Sequence, residues 1–100
     1  SIAETLKDAG RGDYAIEIEG HTDDVPVQNA NFATNWQLAS ARANKIVGIL
    51  IEMGVEPAKL RASSYAETRP AVPNADEKGQ PIAENRARNQ RVIVRMEKLN

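Results

Sequence analysis

The sequence predicts an α+β domain in which helices cover a small mixed β-sheet, giving a two-layer α/β sandwich. Two stretches, residues 15–19 and 91–96, alternate in side-chain character with the period of two that a strand requires. Residues 36–53 instead repeat apolar side chains at intervals of three and four, as an amphipathic helix does. Strands and helices alternate without an internal repeat, and 100 residues with 41% apolar content support one domain with one core.

The net charge and the cysteine content exclude several classes of protein function and of binding site. The formal net charge is -1, so the chain has no overall basic field and we expect no nucleic-acid partner. The chain contains no cysteine, which excludes disulfide frameworks and thiolate metal sites but leaves the cellular compartment open.

The N-terminal third predicts a helix followed by a strand. Apolar residues in 1–10 lie at near-helical spacing and end on a glycine, which predicts a helix of two to three turns. Residues 15–19 then read as a half-buried strand, with Ile16 and Ile18 on one side and glutamates on the other. We expect Gly20 to end this strand, and Pro26 to prevent further pairing.

The middle of the chain predicts a loop and then a long helix. Residues 26–34 lack periodicity and are rich in asparagine, so we predict a loop anchored by Phe32. Asn35 is the expected N-cap of a helix that runs over 36–53 and is terminated by Gly54. The expected inward stripe consists of Ala39, Ala43, Ile46, Val47, Leu50 and Met53.

The C-terminal part predicts five short segments. A proline-initiated turn, a strand, a loop, a helix and a last strand are expected at residues 56–60, 61–65, 68–81, 82–90 and 91–96. On the short helix, Ala83 and Ala87 are expected to face inward.

Catalysis and metal binding are poorly supported by the polar residues that follow the first strand. Asp23 and Asp24 are adjacent, so on an extended backbone their carboxylates point in opposite directions and form no acid–base dyad. One histidine, His21, with two acids lacks the spacing of a metal site, and no serine lies in a nucleophile elbow. We expect no enzyme, no metal and no cofactor, and we interpret His21 as a structural residue.

A binding function uses the same segment. Asp23 at a strand end and Arg42 on the following helix carry opposite charges, and a zwitterionic group could bridge them. Its ammonium would meet the carboxylate and its carboxylate the guanidinium. The sequence leaves two alternatives open: the two residues pair with each other, or Arg42 extends into solvent.

Four motifs resemble the OmpA-like peptidoglycan-binding domain in order and spacing. They are GHTDDVP at 20–26, NWQLASARA at 35–43, SYAETRP at 64–70 and NRARNQRV at 85–92. Within that family the chain is most similar to the periplasmic domain of the flagellar motor stator B subunit, of the MotB/PomB type. The proline soon after GHTD and the long loop before Asn-Trp carry this second resemblance.

The resemblance implies noncatalytic binding of the peptide stem of peptidoglycan at its diaminopimelate residue. Asp23 matches the family's acid for the ammonium, and Arg42 matches its arginine for the carboxylate. The implied ligand-binding set is Thr22, Asp23, Asn35, Leu38, Arg42 and Arg91, and the implied structural set is Gly20, His21, Arg86 and Asn89. Arg91 is also expected to hold the last strand in place. The family's usual arginine before Arg91 is Gln90 here, which implies weak or conditional affinity.

The resemblance also implies a cellular context. We expect a periplasmic domain of a bacterial inner-membrane protein, with a stator A subunit bound through an absent transmembrane region, and a homodimer. Residues 1–100 are then a fragment that lacks the family's first strand, and the sheet edge is expected either to be exposed or to be covered by a strand from the dimer partner. The alternatives are a wall anchor of another envelope protein, such as a porin, a lipoprotein or a secretion-system component, and a wall-hydrolysing enzyme.

Overall fold

A computed structural model of the chain describes residues 4–5 and 14–98. The described elements are strands β1 (Tyr14–His21), β2 (Leu60–Ser64) and β3 (Arg91–Lys98), helices α1 (Asn35–Glu52) and α2 (Ala83–Asn89), and a 3-10 turn at Pro57–Lys59. The predicted helix over residues 1–10 lies outside the described residues, except that Glu4 and Thr5 are helical. The α+β class and the order of the remaining elements are confirmed.

The three strands form one mixed sheet with β1 at its centre. The order is β2-β1-β3, with β1 parallel to β2 and antiparallel to β3. Gly20 lies opposite Ser64 of β2 and opposite Val92 of β3. The C-terminal ends of β1 and β2 and the N-terminal end of β3 therefore meet at one end of the sheet, where the candidate site lies.

One apolar core lies between α1 and the sheet. Ile16 and Ile18 of β1 are fully buried against α1, together with Ala43, Leu50 and Val55. Met53, predicted to face the core, is 52% exposed, so that prediction was wrong. The chain reverses at Gly54, whose φ is 98°, and Val55 takes the place beneath the last turn of α1.

The sequence predicted that Gly20 ends β1, and this prediction was wrong. The strand continues to His21, which pairs with Arg91 of β3. A Cβ on Gly20 would lie 1.9 Å from the carbonyl oxygen of Ala39. The glycine is needed because the backbone of α1 crosses the strand there at a distance that leaves no room for a side chain.

The N-cap of α1 is Thr34, and the prediction of Asn35 was wrong by one residue. The Thr34 hydroxyl accepts a hydrogen bond from the backbone N–H of Gln37 at 3.2 Å. The Gln37 side chain in turn accepts from the N–H of Ala33 at 2.7 Å, in the manner of a capping box. This arrangement leaves the Asn35 side chain available for the preceding loop.

Helix α2 packs through polar contacts. The prediction that its alanines face inward was wrong. Ala83 and Ala87 are exposed, whereas Asn89 is fully buried. Asn85 donates to the carbonyl oxygen of Pro73 at 2.9 Å. The helix therefore docks on the preceding loop by hydrogen bonds to backbone, and the apolar spacing of its alanines was misleading.

The edges of the sheet and the loops follow the predictions more closely. Residues 22–34 form no regular element, and Phe32 is partly buried in a turn closed on Asn29. In the part of the chain that the structure describes, β3 pairs with β1 alone. The missing first strand stays a prediction. No described helix combines the length and apolar character needed to cross a bilayer.

Candidate ligand-binding site

The site is built around the carboxylate of Asp23, immediately beyond β1. Its Oδ1 accepts a hydrogen bond from the N–H of Val25 at 3.0 Å, which closes a local turn and fixes the carboxylate. Its Oδ2 accepts from Gln90 Nε2 at 2.6 Å. Asp23 is buried, with only 7% of its surface exposed, and the two hydrogen bonds hold its carboxylate in one orientation.

Arg42 meets Asp23 through Gln90. The Arg42 guanidinium donates to Gln90 Oε1 at 3.4 Å, while the nitrogen of the same amide contacts Asp23. The two charged groups therefore face each other across one amide, and we call this pair the zwitterion clamp. The alternative that they pair directly with each other is not what the structure shows, since Asp23 contacts Gln90 and Val25 instead.

Thr22 and Asn35 support the clamp from inside. The Thr22 hydroxyl donates to the carbonyl oxygen of Asp23 at 2.8 Å, and the residue is 2% exposed. Asn35 accepts from the N–H of Val27 at 3.1 Å and donates to the carbonyl oxygen of Val25 at 3.2 Å. Both side chains hold the loop that carries Asp23, and their predicted contact with a ligand stays a prediction.

The Arg42 side of the clamp opens into a groove. The groove has a volume of about 350 Å³ and is lined by Arg42, Lys45, Ile46, Gln90, Arg91 and Val92. Leu38 is partly buried one turn before Arg42, on the same helix face. Arg91 donates to the carbonyl oxygens of Asn89 at 3.1 Å and Arg69 at 2.9 Å, so it ties β3 to the neighbouring loop. Burial lowers the pKa of its guanidinium, and Glu19 opposes this shift.

Arg86 neutralises the second acid of the segment. Its Nε donates to Asp24 Oδ1 at 2.7 Å, and this hydrogen bond raises the pKa of Arg86. Asp24 is thereby paired with α2, and the structural role of Arg86 stays a prediction. Of the two adjacent acids, Asp23 is the one that belongs to the clamp.

Asn89 fixes the position of Gln90. It is fully buried, and its Oδ1 accepts from the N–H groups of Ala71 and Val72 at 2.9 and 3.1 Å. Its Nδ2 donates to the carbonyl oxygen of Val72 and to Asn74 Oδ1 at 2.8 and 2.7 Å. All four hydrogen bonds of the amide are made, so the end of α2 is held firmly against the preceding loop.

His21 is buried at the end of β1, and its structural role stays a prediction. It is 2% exposed, its ring stacks on Tyr65 with centroids 5.3 Å apart, and Nε2 lies 3.3 Å from Glu19 Oε1. Glu19 is itself 3% exposed and also accepts a hydrogen bond from Arg95. The sequence predicted that β1 is half-buried, and this prediction was wrong at this end of the strand. The strand is central, and the long side chains of its neighbours cover its second face.

A model of the OmpA family matches residues 1–91 of the chain. The chain belongs to the OmpA family. Motility protein B of Helicobacter pylori (strain ATCC 700392 / 26695) is 39% identical over 79 residues, which are 79% of this chain and 28% of that protein. The OmpA-family chain thus spans less than a third of this relative.

Solved structures agree with this OmpA-family membership. The periplasmic domain of Helicobacter pylori MotB has a TM-score of 0.78 and 32% identity, covering 97% of this chain and 59% of that one. The cell wall anchor of the T6SS from Pseudomonas aeruginosa also has a TM-score of 0.78, at 27% identity, with coverage of 99% and 62%. The resemblance read from the motifs and the small mixed sheet are therefore confirmed.

Sequence reasoning missed the role of Gln90 in this OmpA-family site. The residue was noted only as a missing arginine, whereas the structure places its amide between Asp23 and Arg42. The departure from the motif was the available signal. Among the described residues, no three His, Asp and Glu side chains lie close enough to hold a metal ion.

Burial of His21 leads to a testable pH dependence. Burial lowers the pKa of His21 below 6.5, Arg91 and Arg69 lower it further, and Glu19 partly opposes them. Between the lowered folded pKa and pH 6.5, the unfolded chain binds a proton that the folded OmpA-family domain does not. The free energy of unfolding should therefore fall as the pH is lowered from 7 towards the folded pKa.

Urea unfolding of the wild type and His21→Gln at pH 7 and pH 5.5 measures this effect. Since the chain has a single histidine, the variant should lose less stability over this range than the wild type. Equal losses in the two proteins would show that His21 does not carry the pH dependence.

Proposed function

We propose that this domain binds peptidoglycan without catalysis, through the diaminopimelate residue of the peptide stem, and so anchors a flagellar motor stator to the cell wall. The observation that carries the proposal is the zwitterion clamp. Asp23 and Arg42 hold the two ends of one small amide, with the acid at the donor end and the cation at the acceptor end.

The chemistry of the clamp matches the free end of diaminopimelate. That end carries an ammonium and a carboxylate on the same carbon, whereas the side chain of a lysine-type stem carries only the ammonium. A charge-assisted hydrogen bond to Asp23 and another from Arg42 would each be stronger than the neutral contacts that Gln90 makes. Guanidinium is well suited to the carboxylate because it can donate two parallel hydrogen bonds.

The proposed cellular role rests on the named relatives. Motility protein B and the MotB periplasmic domain are similar to this chain over most of its length. On that basis we assign the domain to the periplasmic part of an inner-membrane stator B subunit, acting as a homodimer with a stator A subunit. The A subunit would bind through a transmembrane region, and no helix among the described residues has the length and apolar character to span a membrane.

A second candidate is a wall anchor of another envelope assembly. The similarity to the cell wall anchor of the T6SS favours it, because that structure covers this chain as completely as MotB does. Both candidates use the same clamp and differ in the membrane attachment. The sequence upstream of Ser1 decides between them: a single transmembrane helix indicates a stator, and a lipid-attachment signal indicates a lipoprotein anchor.

Co-sedimentation with purified sacculi tests the proposed binding. The wild type should sediment with diaminopimelate-type sacculi, and free meso-diaminopimelate should release it. Nα-acetyl-L-lysine amide, which offers a side-chain ammonium without a free carboxylate, should not release it. Arg42→Ala should abolish sedimentation. Arg61→Ala is the matched control, because Arg61 is an exposed arginine of β2 that is paired with Glu17 and Glu97 and not with the residues of the clamp. Release of soluble muropeptides during the incubation would instead indicate a hydrolase.

A further inference from the structure

The side chain of Gln90 imitates the ligand that the clamp is proposed to bind. Its Nε2 donates to Asp23 Oδ2 at 2.6 Å, where the ligand's ammonium would lie. Its Oε1 accepts from the Arg42 guanidinium at 3.4 Å, where the ligand's carboxylate would lie. The one side chain thus supplies a donor and an acceptor to the two ends of the clamp.

We propose that Gln90 is an internal latch, which closes the zwitterion clamp and must be displaced before an amino-acid head group can bind. The proposal rests on the proposed function and adds to it the residue that sets the affinity. An arginine at this position could donate to Asp23 but could accept nothing from Arg42. The two-sided bridge therefore depends on the amide that this chain carries.

The ligand cannot reach the carboxylate while the latch is closed. Asp23 is 7% exposed, and its oxygens already accept hydrogen bonds from Val25 and Gln90. The backbone N–H of Val25 belongs to a fixed turn, so Gln90 is the partner that can leave. Binding the ammonium at Oδ2 then requires the Gln90 amide to move.

The latch has the freedom to open. Gln90 is exposed and lies at the C-cap of α2, held by its backbone N–H to the carbonyl of Arg86. Its side chain borders the groove of about 350 Å³, whose floor includes Ile46 and Val92. Swinging into this groove breaks two hydrogen bonds and leaves the backbone of α2 unchanged. The neutral amide gives way to a ligand that is charged at both ends.

Calorimetric titration with meso-diaminopimelate tests the latch. Gln90→Met keeps the length of the side chain without its donor and acceptor, and Gln90→Ala removes the chain beyond Cβ. Each should bind about tenfold more tightly than the wild type, since the ligand no longer competes with the amide. Gln80→Ala is the matched control, because Gln80 is an exposed glutamine in the loop before α2. The affinity of this variant for meso-diaminopimelate should equal that of the wild type.

Three results are distinguishable. Tighter binding by both Gln90 variants, including binding that is measurable only in them, supports the latch. Equal or weaker binding by the variants, while the wild type binds, overturns the latch and leaves the proposed function standing. An absence of binding in every protein overturns the proposed function and the latch with it.

Nuclear magnetic resonance of the Gln90 side-chain amide gives an independent observation. In the wild type, adding meso-diaminopimelate should shift the Nε2 protons towards the values of a solvated amide, because the hydrogen bond to Asp23 is lost. The amide of Gln80 should not shift. Saturation with ligand without any change in the Gln90 amide would overturn the latch.

Discussion

Asp23→Asn should lower the affinity of the domain for diaminopimelate-type sacculi by about a hundredfold, the size of loss seen when one partner of a buried charge pair is removed. Asparagine keeps the size of the side chain and an oxygen for the N–H of Val25. It removes the negative charge that would face the ammonium, and it can place an N–H group towards the ligand's own donors. Co-sedimentation over a range of sacculus concentrations measures the change.

Asp24→Asn is the matched control for this prediction. Asp24 is the adjacent acid, but it is 39% exposed at its side chain and paired with Arg86 outside the clamp. Loss of this surface ion pair should change the stability of the domain little. Because Asp24 lies outside the clamp, the affinity of the Asp24→Asn variant should stay within about twofold of the wild type. Equal losses in the two variants would mean that general charge, and not the clamp, governs wall binding.

Asn89→Ala should lower the free energy of unfolding by about 4 kcal/mol, since several buried polar groups lose their partners at once. Asn89 is fully buried and makes four hydrogen bonds to the loop before α2. Alanine would leave the N–H groups of Ala71 and Val72 without an acceptor. Urea unfolding at pH 7, where the transition midpoint reports stability, measures the loss.

Asn85→Ala tests whether the number of buried partners explains this loss. Asn85 lies one turn earlier on α2, and among the described residues its side chain makes a single hydrogen bond, to the carbonyl oxygen of Pro73. Its replacement should cost about 1 kcal/mol. A loss at Asn89 no larger than that at Asn85 would contradict the role assigned to the buried amide.

Side-chain periodicity predicted the fold where an element packs on apolar neighbours. The stripe along α1 correctly identified Ala39, Ala43 and Leu50 as buried. It was wrong at Met53, because the turn at Gly54 ends the helix before that side chain can reach the core. On α2 the same reasoning selected two exposed alanines, because this helix is held by amide hydrogen bonds that leave no periodic signal.

The candidate site could be predicted in part. Asp23 and Arg42 were identified from chemistry and from the family motif, but their distance could not be known from sequence. Gln90 lies 67 residues after Asp23, and the pairing of β1 with β3, in which His21 lies opposite Arg91, brings the two together. Local patterns do not contain such a contact. A departure from a family motif, at a residue beside the signature asparagine, was the one available indication.

A crystal structure of the domain with meso-diaminopimelate shows whether the zwitterion clamp is the binding site. We expect one amino-acid end of the ligand between Asp23 and Arg42, with its ammonium nitrogen about 3 Å from Asp23 Oδ2 and its carboxylate on the guanidinium. Ligand bound elsewhere on the domain, with neither Asp23 nor Arg42 in contact with it, would show that the clamp does not bind diaminopimelate.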